Sequence, residues 1–505
     1  MVECDVLIVG AGPVGLTLAI ILKKFNISYK IIDKAYTWSS KSKAMTITSR
    51  TLELLNTIGI AENIIKEGIP SYYLNYFYNK YKLGQAKFSR LDSKYNFILQ
   101  ISQSITTKIL NDQLENLDTT VERGLELTSF ERNDRWITCY IYNNRSDIHS
   151  NIRTNYLIAC DGGHSAIRKS DGMIFHGEED DETFLMADIP IKNLPLAFDQ
   201  RHLFYLMHSF LYIMPITYNG NNFIYRIITT EKNKTEYTNN SVLELFKKHL
   251  CNLHYSNIEF GDPIWISTFN PKQYVVNSFY RNKVIYVGDA AHIQSPIGSQ
   301  GLNTGIQDAF NLGWKLSFVL QNGWSQSILN SYNAERKAVA NKLFDYNNFI
   351  SKVVFGHKPI KRFFSILSKA TLGIDFYNLK EVEIISQYRV NYNKVNRSPI
   401  IGSRMPNFKL DDERSIYDVL CPTKFNLILF DNKNISNYTK TNSLINLILI
   451  EKKWNKLKNE FFLKALAYLI RPDCYIMDVL NSEIDIKKLI SSEEFFNLYV
   501  HKRLG

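Results

Sequence analysis

The chain has 505 residues, of which 45% are hydrophobic and 22% are charged, an ordinary balance for a folded protein of two or three domains. Its net charge of +11 is spread without a long Lys/Arg tract, which argues against a nucleic-acid partner. The longest apolar runs are too short to cross a bilayer, so we expect no integral membrane segment.

A β-α-β unit opens the chain. Val6–Val9 predicts an apolar strand, Leu16–Phe25 a helix and Tyr29–Asp33 a second strand. The glycine-rich turn between the first strand and the helix suits a pyrophosphate, because the backbone can approach it closely and the helix N-terminus offers free N–H groups. A carboxylate at the end of the second strand can accept ribose hydroxyls. The unit predicts a dinucleotide site made by Gly10, Gly12, Pro13, Gly15 and Asp33.

The remaining elements suggest that a sheet is inserted into this α/β domain. Helices are expected near Ser49–Gly59 and Thr106–Leu117, and a buried strand at Asn155–Asp161. Aromatic, strand-like stretches from Leu203 to Met214 and from Phe223 to Thr230 then predict an antiparallel sheet. A buried strand and a long helix follow, and strands alternate with helices in the tail. The predicted segments are 1–177, 178–280, 281–396 and 397–505.

Two later motifs carry a family resemblance. The run from Cys160 to Arg168 resembles the "DG" motif of the FAD-dependent (class A) flavoprotein aromatic hydroxylases. The run from Gly288 to Gly305 resembles their "GD" motif. The likeness covers residues 1 to about 350 and is strongest to the phenol 2-monooxygenase and polyketide hydroxylase subgroup. It implies a Rossmann-like FAD-binding domain in 1–177 and 281–396, a substrate sheet in 178–280 and a thioredoxin-like domain in 397–505.

The resemblance also implies which residues contact FAD. The Asp289 carboxylate would hold a ribityl hydroxyl, and the helix N-terminus near Leu302 would stabilise negative charge on the flavin. Lys43 stands where the family has arginine, and it keeps the charge but loses the bidentate fork. The further expected cofactor residues are Gln103, Asp161, Gly162, His164, Arg168, Gly288, Pro296, Gly298, Gly301 and Asn303.

The implied reaction uses O2 and NADPH or NADH. The nicotinamide would reduce the flavin, O2 would add to give a C4a-hydroperoxide, and a small aromatic substrate would take up one oxygen atom. The chain has a single G-x-G-x-x-G, so the DG turn with His164 and Arg168 is expected to help bind the nicotinamide nucleotide. The resemblance implies no metal.

The substrate residues are expected on the inserted sheet. Even-numbered residues from Phe204 to Met214 alternate onto one face, and Arg226 lies on the next strand, which would suit a phenolate. Tyr212 and His208 are candidates to deprotonate a phenol, and Pro296 would lie beside the flavin face. An ordinary sheet core would explain the same alternation.

The tail carries a weaker likeness to the subgroup. Arg471-Pro472-Asp473 matches its "RPD" turn, with Cys474 in place of the usual glycine. Cys421 has no nearby partner cysteine, so packing or homodimer contacts are expected in place of dithiol chemistry. Six scattered cysteines and an N-terminus that leads directly into a strand predict a reduced, cytoplasmic protein.

Alternative functions remain open from the sequence. A related flavoenzyme could oxidise a non-phenolic substrate, such as a quinone precursor or a polycyclic antibiotic. A non-catalytic chain could hold FAD as a scaffold for a partner. The basic, Phe-rich stretch 349–376 could bind a membrane surface, although a core or dimer helix explains it better.

Overall fold

The computed structural model describes residues 2–39, 44–179, 182–206, 209–219, 222–231, 237–255, 257–295, 300–355, 375–392, 400–410, 412–430, 442–450 and 465–504. Four predicted site residues lie outside these ranges, namely Lys43, His208, Pro296 and Gly298. Most of the stretch 349–376 also lies outside them. Within the described residues, no helix is both long and apolar enough to cross a membrane.

The first sheet has eight strands and confirms the predicted β-α-β unit. Its central strands pair in parallel, and a two-stranded antiparallel ribbon branches from the interior strand that ends at Ala159. Nearly all of the side chains of its first strand are buried, as expected for a sheet with helices on its faces. Its strands are β1 (Cys4–Val9), β2 (Tyr29–Asp33), β8 (Glu122–Arg123), β9 (Leu125–Arg132), β10 (Ile137–Asn143), β11 (Ile148–Ala159), β20 (Tyr280–Arg281) and β21 (Val284–Tyr286).

A second eight-stranded sheet is the inserted one, and it is mostly antiparallel. Two strands from the first segment also join it, and one of them makes a parallel pair. Its strands are β5 (Tyr73–Tyr78), β6 (Tyr81–Lys87), β13 (Thr183–Lys192), β14 (Arg201–Tyr205), β15 (Phe210–Asn219), β16 (Asn222–Glu231), β17 (Glu259–Phe260) and β18 (Trp265–Phe269).

The predicted alternation from Phe204 to Met214 is wrong, because this stretch is two antiparallel strands. Leu203 pairs with Tyr212, so the chain turns back between β14 and β15. Phe204 therefore packs on the face of the sheet that α6 (Asn239–Asn252) covers, whereas Met214 lies on the opposite face. A turn inside the run breaks the two-residue period that the prediction assumed.

Two three-stranded sheets complete the strands of this part of the chain. One is formed by β3 (Thr46–Ile47), β7 (Ile98–Gln100) and β4 (Ile69–Ser71), and the other by β12 (Phe175–Glu179), β19 (Lys272–Val276) and β22 (His292–Ile293). The remaining helices are α1 (Pro13–Lys24), α2 (Ser49–Thr57), α3 (Ala61–Lys66), α4 (Gln103–Glu115), α5 (Ala166–Ser170), α7 (Gly301–Asn322), α8 (Ser327–Phe355) and α9 (Asp375–Ile385).

The tail folds as a four-stranded sheet with two described helices. One pair of strands is parallel and two pairs are antiparallel. The elements are β23 (Phe425–Leu429), β24 (Ile445–Leu449), β25 (Ala467–Ile470), β26 (Ile476–Leu480), α10 (Glu483–Ser491) and α11 (Glu493–Leu504). A thioredoxin-like classification of this unit stays a prediction. All six cysteines of the chain are free thiols.

Buried ion pairs and hydrogen bonds join the tail to helices α2, α7 and α8. The Glu335 carboxylate on α8 accepts hydrogen bonds from Lys315 on α7, at 2.8 Å, and from Arg471 in the tail, at 2.9 and 3.0 Å. Arg471 also pairs with Asp473 at 2.6 Å. Arg50 on α2 donates to the Asp473 carbonyl at 2.9 Å and to a tail tyrosine. The RPD turn therefore connects the tail to α2 and α8 through buried hydrogen bonds and ion pairs.

The acidic side chain of Glu381 on α9 should make stability depend on pH. Burial raises its pKa from 4.5 to about 7, although the Tyr76 hydroxyl donates to it at 2.6 Å. Because the folded state binds this proton more tightly than the unfolded chain, the stabilisation is present below about pH 4.5 and is lost as the pH rises through 7. Glu381→Gln should therefore gain stability relative to wild type between pH 5 and pH 8. Denaturant unfolding at both pH values tests this, and parallel pH profiles would contradict it.

Candidate active site

The glycines of the first turn occupy positions where side chains would clash or would enter the site. Gly10 has φ +106°, and a Cβ there would lie 2.2 Å from the Cys160 carbonyl oxygen. A Cβ on Gly15 would lie 2.0 Å from the Gly10 carbonyl oxygen. A Cβ on Gly12 would meet no described atom within 4 Å, and Gly12 lines a cavity. Two glycines are therefore required by packing, and the third leaves room for a ligand.

Helix α1 and strand β2 meet at this turn as predicted. Gly12 is the N-cap of α1 and Pro13 is its first residue, so the N-terminal N–H groups face the cavity side. The Asp33 carboxylate accepts hydrogen bonds from the backbone N–H groups of Ala11, at 2.7 Å, and Ala35, at 2.8 Å. Asp33 therefore fixes the turn from the end of β2.

A cavity of about 540 Å³ lies between the glycine-rich turn after β1 and the inserted sheet. Predicted cofactor residues from four separate stretches line it together. They are Gly12, Pro13, Gln103, Asp161, Gly162, His164, Asp289, Gly301 and Leu302. The inserted sheet adds Met186, Met214, Arg226 and Ile228.

The DG turn presents a buried carboxylate oxygen with no protein partner. One Asp161 oxygen accepts hydrogen bonds from the N–H groups of Ala166, at 2.8 Å, and Ile167, at 3.3 Å. The other oxygen is buried and makes no hydrogen bond among the described residues. Burial raises the pKa of this carboxyl. A ligand hydroxyl would satisfy the orphaned oxygen, since unpaired buried polar atoms are costly.

A buried ionic cluster around Asp308 contacts the GD turn. The Asp308 carboxylate on α7 accepts hydrogen bonds from the Gly288 N–H, at 3.2 Å, and from the Arg336 guanidinium, at 2.5 Å. It also forms a hydrogen bond of 2.7 Å with the His292 ring. Burial opposes ionisation, but the Arg336 guanidinium holds the pKa of Asp308 below its usual range. Gly288 has φ +61°, which turns the chain so that the exposed Asp289 lines the cavity.

The N-terminus of α7 points its backbone at the cavity, but the Asn303 side chain does not. The amide of Asn303 accepts from the Thr48 N–H and donates to the Thr46 carbonyl, both at 2.9 Å. Its side chain therefore joins α7 to β3 and α2. The backbone N–H groups of Gly301 and Leu302 have no intrahelical acceptor, because they lie in the first turn.

The Arg168 side chain makes contacts within the protein and is not part of the cavity lining, so its contact with the nicotinamide nucleotide stays a prediction. Arg168 is 5% exposed, and its guanidinium donates to the carbonyls of Gly163, at 2.9 Å, and Ala290, at 3.3 Å. It also lies 3.6 Å from the ring centre of Phe175. Arg168 therefore ties the DG turn to the GD turn, whereas His164 is exposed and lines the cavity.

The predicted substrate cation, Arg226, is already paired. Its guanidinium donates two hydrogen bonds to Asp188, both at 2.7 Å, and lies over the Trp265 ring at 4.9 Å. Arg226 therefore lines the cavity as half of a buried ion pair, and its contact with a phenolate stays a prediction. Tyr212 accepts a hydrogen bond from Arg201 at 3.4 Å. Gln103 begins α4, and its amide oxygen accepts from the Ala44 N–H at 3.1 Å.

Sequence reasoning missed polar side chains that follow the GD turn. Gln294, Ser295 and Gln300 line the cavity, and each carries a buried polar atom with no hydrogen-bond partner in the described part of the chain. All three lie within the run from Gly288 to Gly305 that carries the GD resemblance, and this position was the available signal.

These features fit FAD. The open Gly12 turn and the α1 N-terminus could receive the pyrophosphate. The orphaned Asp161 oxygen and the exposed Asp289 could accept cofactor hydroxyls. The α7 N-terminus could face the flavin ring and stabilise negative charge on it.

Comparisons with known proteins agree with this fit. The family model described as an FAD binding domain matches residues 3–347. Pentachlorophenol 4-monooxygenase from Sphingobium chlorophenolicum is 28% identical over 435 residues, which are 85% of this chain and 80% of the relative. Rifampicin monooxygenase from Streptomyces venezuelae is 27% identical over 424 residues, 81% of this chain and 84% of the relative. The solved structure of the OxyS anhydrotetracycline hydroxylase from Streptomyces rimosus shares the fold, with TM-score 0.77, 24% identity, and coverage of 96% and 97%.

The fold and the site define an α/β flavoprotein. The chain belongs to the FAD binding domain family, whose model matches well over half of its length. FAD is its cofactor and NADPH or NADH its electron donor, and the prediction of an FAD-dependent monooxygenase is confirmed.

Proposed function

We propose that the chain hydroxylates a phenolic or polycyclic aromatic substrate held between the flavin and the inserted sheet. One observation carries this proposal, namely that the cofactor turns and the apolar face of the inserted sheet line the same cavity. Met186, Met214 and Ile228 form the sheet side, and flexible or branched apolar side chains suit a flat ring system.

Relatives support an aromatic substrate of this kind. The names of two relatives specify pentachlorophenol and rifampicin as substrates. We propose the class of aromatic substrates for this chain, and we do not propose either of these two compounds as its substrate. Bound FAD supplies electron transfer from NADPH or NADH to O2. The reduced state of all six cysteines supports a cytoplasmic enzyme.

The proposed roles of the chain's own residues are positional and electrostatic. Gly12 and the α1 N-terminus would hold the pyrophosphate, and Asp161 and Asp289 would hold hydroxyl groups of the cofactor. The Arg226–Asp188 pair has no net charge, so it would orient a substrate by hydrogen bonding and would close the cavity to water. Tyr212 is the described candidate to exchange a proton with a phenol.

Filling the substrate side of the cavity should uncouple the enzyme. Met214 is 2% exposed and lines the cavity, so Met214→Trp would place a larger ring where the substrate lies. We expect FAD to stay bound while aromatic-stimulated NADPH oxidation to hydroxylated product falls about 10-fold or more, since small misplacements cost rates of this size. A panel of phenols and polycyclic aromatics, with hydrogen peroxide measured in parallel, tests this.

The matched control is Phe223→Trp on the same sheet. Phe223 is 39% exposed and does not belong to the cavity lining. It should leave stimulation and coupling unchanged. Full coupling in Met214→Trp would contradict the placement of the substrate, and peroxide release with every aromatic in wild type would favour the scaffold alternative.

A further inference from the structure

A buried cation on the cavity face of the inserted sheet has no counter-charge among the residues that the structure describes. Arg201, the first residue of β14, is 3% exposed. One guanidinium nitrogen donates to the Tyr212 hydroxyl at 3.4 Å, and the group lies 4.9 Å from the ring centre of Phe88. Its Nε and Nη2 have no hydrogen-bond partner among the described residues, and none of the carboxylates there pairs with it. Burying such a group is costly, so its presence points to a ligand.

The strand register places Arg201 next to the cavity. His202 pairs with Ile213 and Leu203 with Tyr212, so Arg201 lies beside Met214 on the same face of the sheet. Met214 pairs on its other side with Arg226, and both line the cavity. Arg201 and Tyr212 are not part of the cavity lining itself; Arg201 lies one strand beyond the lining residue Met214, which separates it from Arg226 in the sheet.

The two arginines on this face differ in the charge that they offer. Asp188 neutralises Arg226 with two hydrogen bonds of 2.7 Å. Arg201 has no carboxylate partner in the described part of the chain, and its Nε and Nη2 donors are unpaired there. Tyr212 accepts from Arg201, so the hydroxyl proton of Tyr212 is directed to another acceptor. An anionic oxygen of a ligand could therefore accept hydrogen bonds from both the Arg201 guanidinium and the Tyr212 hydroxyl.

We propose that Arg201, with Tyr212, binds an anionic oxygen of the aromatic substrate, so that the enzyme prefers acidic aromatics carrying a carboxylate or an enolate. The guanidinium fork binds two oxygens at once, and a buried ionic hydrogen bond is stronger than one in water. This inference rests on the proposed function, because it assigns the substrate class of the same cavity.

Binding of two matched probes to the FAD-loaded wild type tests the inference without a variant. The probes are 3-hydroxy-2-naphthoate and 2-naphthol, which differ by one carboxylate, and the change in flavin absorbance reports binding without turnover. We expect the naphthoate to bind about 10- to 100-fold more tightly, the value of a hydrogen bond to a charged group. Equal or weaker binding of the naphthoate would overturn the inference.

Variants then separate recognition from structure. Arg201→Met should abolish the preference, leave 2-naphthol binding unchanged and keep or raise the Tm of the probe-free protein, because an unpaired buried charge is removed. Arg201→Lys should keep part of the preference. Lys192→Met removes an exposed charge from the same sheet and should change nothing.

The outcomes distinguish this inference from the proposed function. A preference that survives in Arg201→Met, or a lowered Tm with both affinities reduced alike, would overturn the binding role of Arg201. If Arg201→Met loses FAD, the relative affinities of the two probes for wild type and for Arg201→Lys still test the inference. A preference that depends on Arg201 in a protein that oxygenates no aromatic would keep the anion site and reject the proposed function.

Discussion

Gly12→Val should release FAD while leaving the fold intact. The new side chain would point into the cavity, because a Cβ on Gly12 meets no described atom within 4 Å. It would occupy the proposed pyrophosphate position and remove charge-assisted hydrogen bonds from the α1 N-terminus, so we expect FAD affinity to fall about 10- to 100-fold. Flavin absorbance per chain measures the loss, and circular dichroism reports the fold.

Gly15→Val provides the contrast. Its Cβ would lie 2.0 Å from the Gly10 carbonyl oxygen, so this variant should lose both FAD and native structure. Full FAD occupancy in Gly12→Val would reject the pyrophosphate assignment.

Glu335→Gln should destabilise the junction between the FAD-binding part and the tail. The Glu335 carboxylate is 6% exposed and pairs with both Lys315 and Arg471, and Asp473 supplies the second negative charge of the cluster. Burial lowers the pKa of Lys315 to about 8, and the Glu335 carboxylate opposes this shift because it favours the ammonium form. Removing one partner of a buried pair leaves an uncompensated charge, and we expect a loss of about 3–5 kcal/mol in the free energy of unfolding.

Two comparisons isolate the buried charge. Glu383→Gln breaks an exposed pair with Arg389, at 3.1 Å, and should cost less than about 1 kcal/mol. Adding Lys315→Met to Glu335→Gln should recover part of the stability, because the orphaned ammonium is gone. Equal effects of the two single glutamate variants would contradict a structural role for this junction.

The cofactor turns could be predicted because each is a contiguous motif whose backbone geometry is local. Gly10, Gly12 and Asp161 lie where their spacing indicated, and each has a physical reason to be that residue. The roles of Arg168 and Asn303 could not be predicted from spacing, because each side chain donates to a backbone carbonyl that is distant in sequence.

The substrate side was less predictable because its contacts are distant in sequence. Asp188, which neutralises Arg226, is 38 residues away, and the β14–β15 turn is hidden within an alternating run. The joining of β5 to β14 across more than 100 residues also leaves no local signal. The segment boundaries, the thioredoxin-like tail and a homodimer stay predictions.

Oxygen-18 labelling tests the central claim most directly. Wild-type enzyme, NADPH and a stimulating aromatic are incubated under ¹⁸O2 in ordinary water, and in a second reaction under ordinary O2 in H2¹⁸O. The account predicts one labelled oxygen in the hydroxylated product of the first reaction and none in that of the second. Label that enters from water, or O2 consumption that yields peroxide with no labelled product, would contradict a monooxygenase.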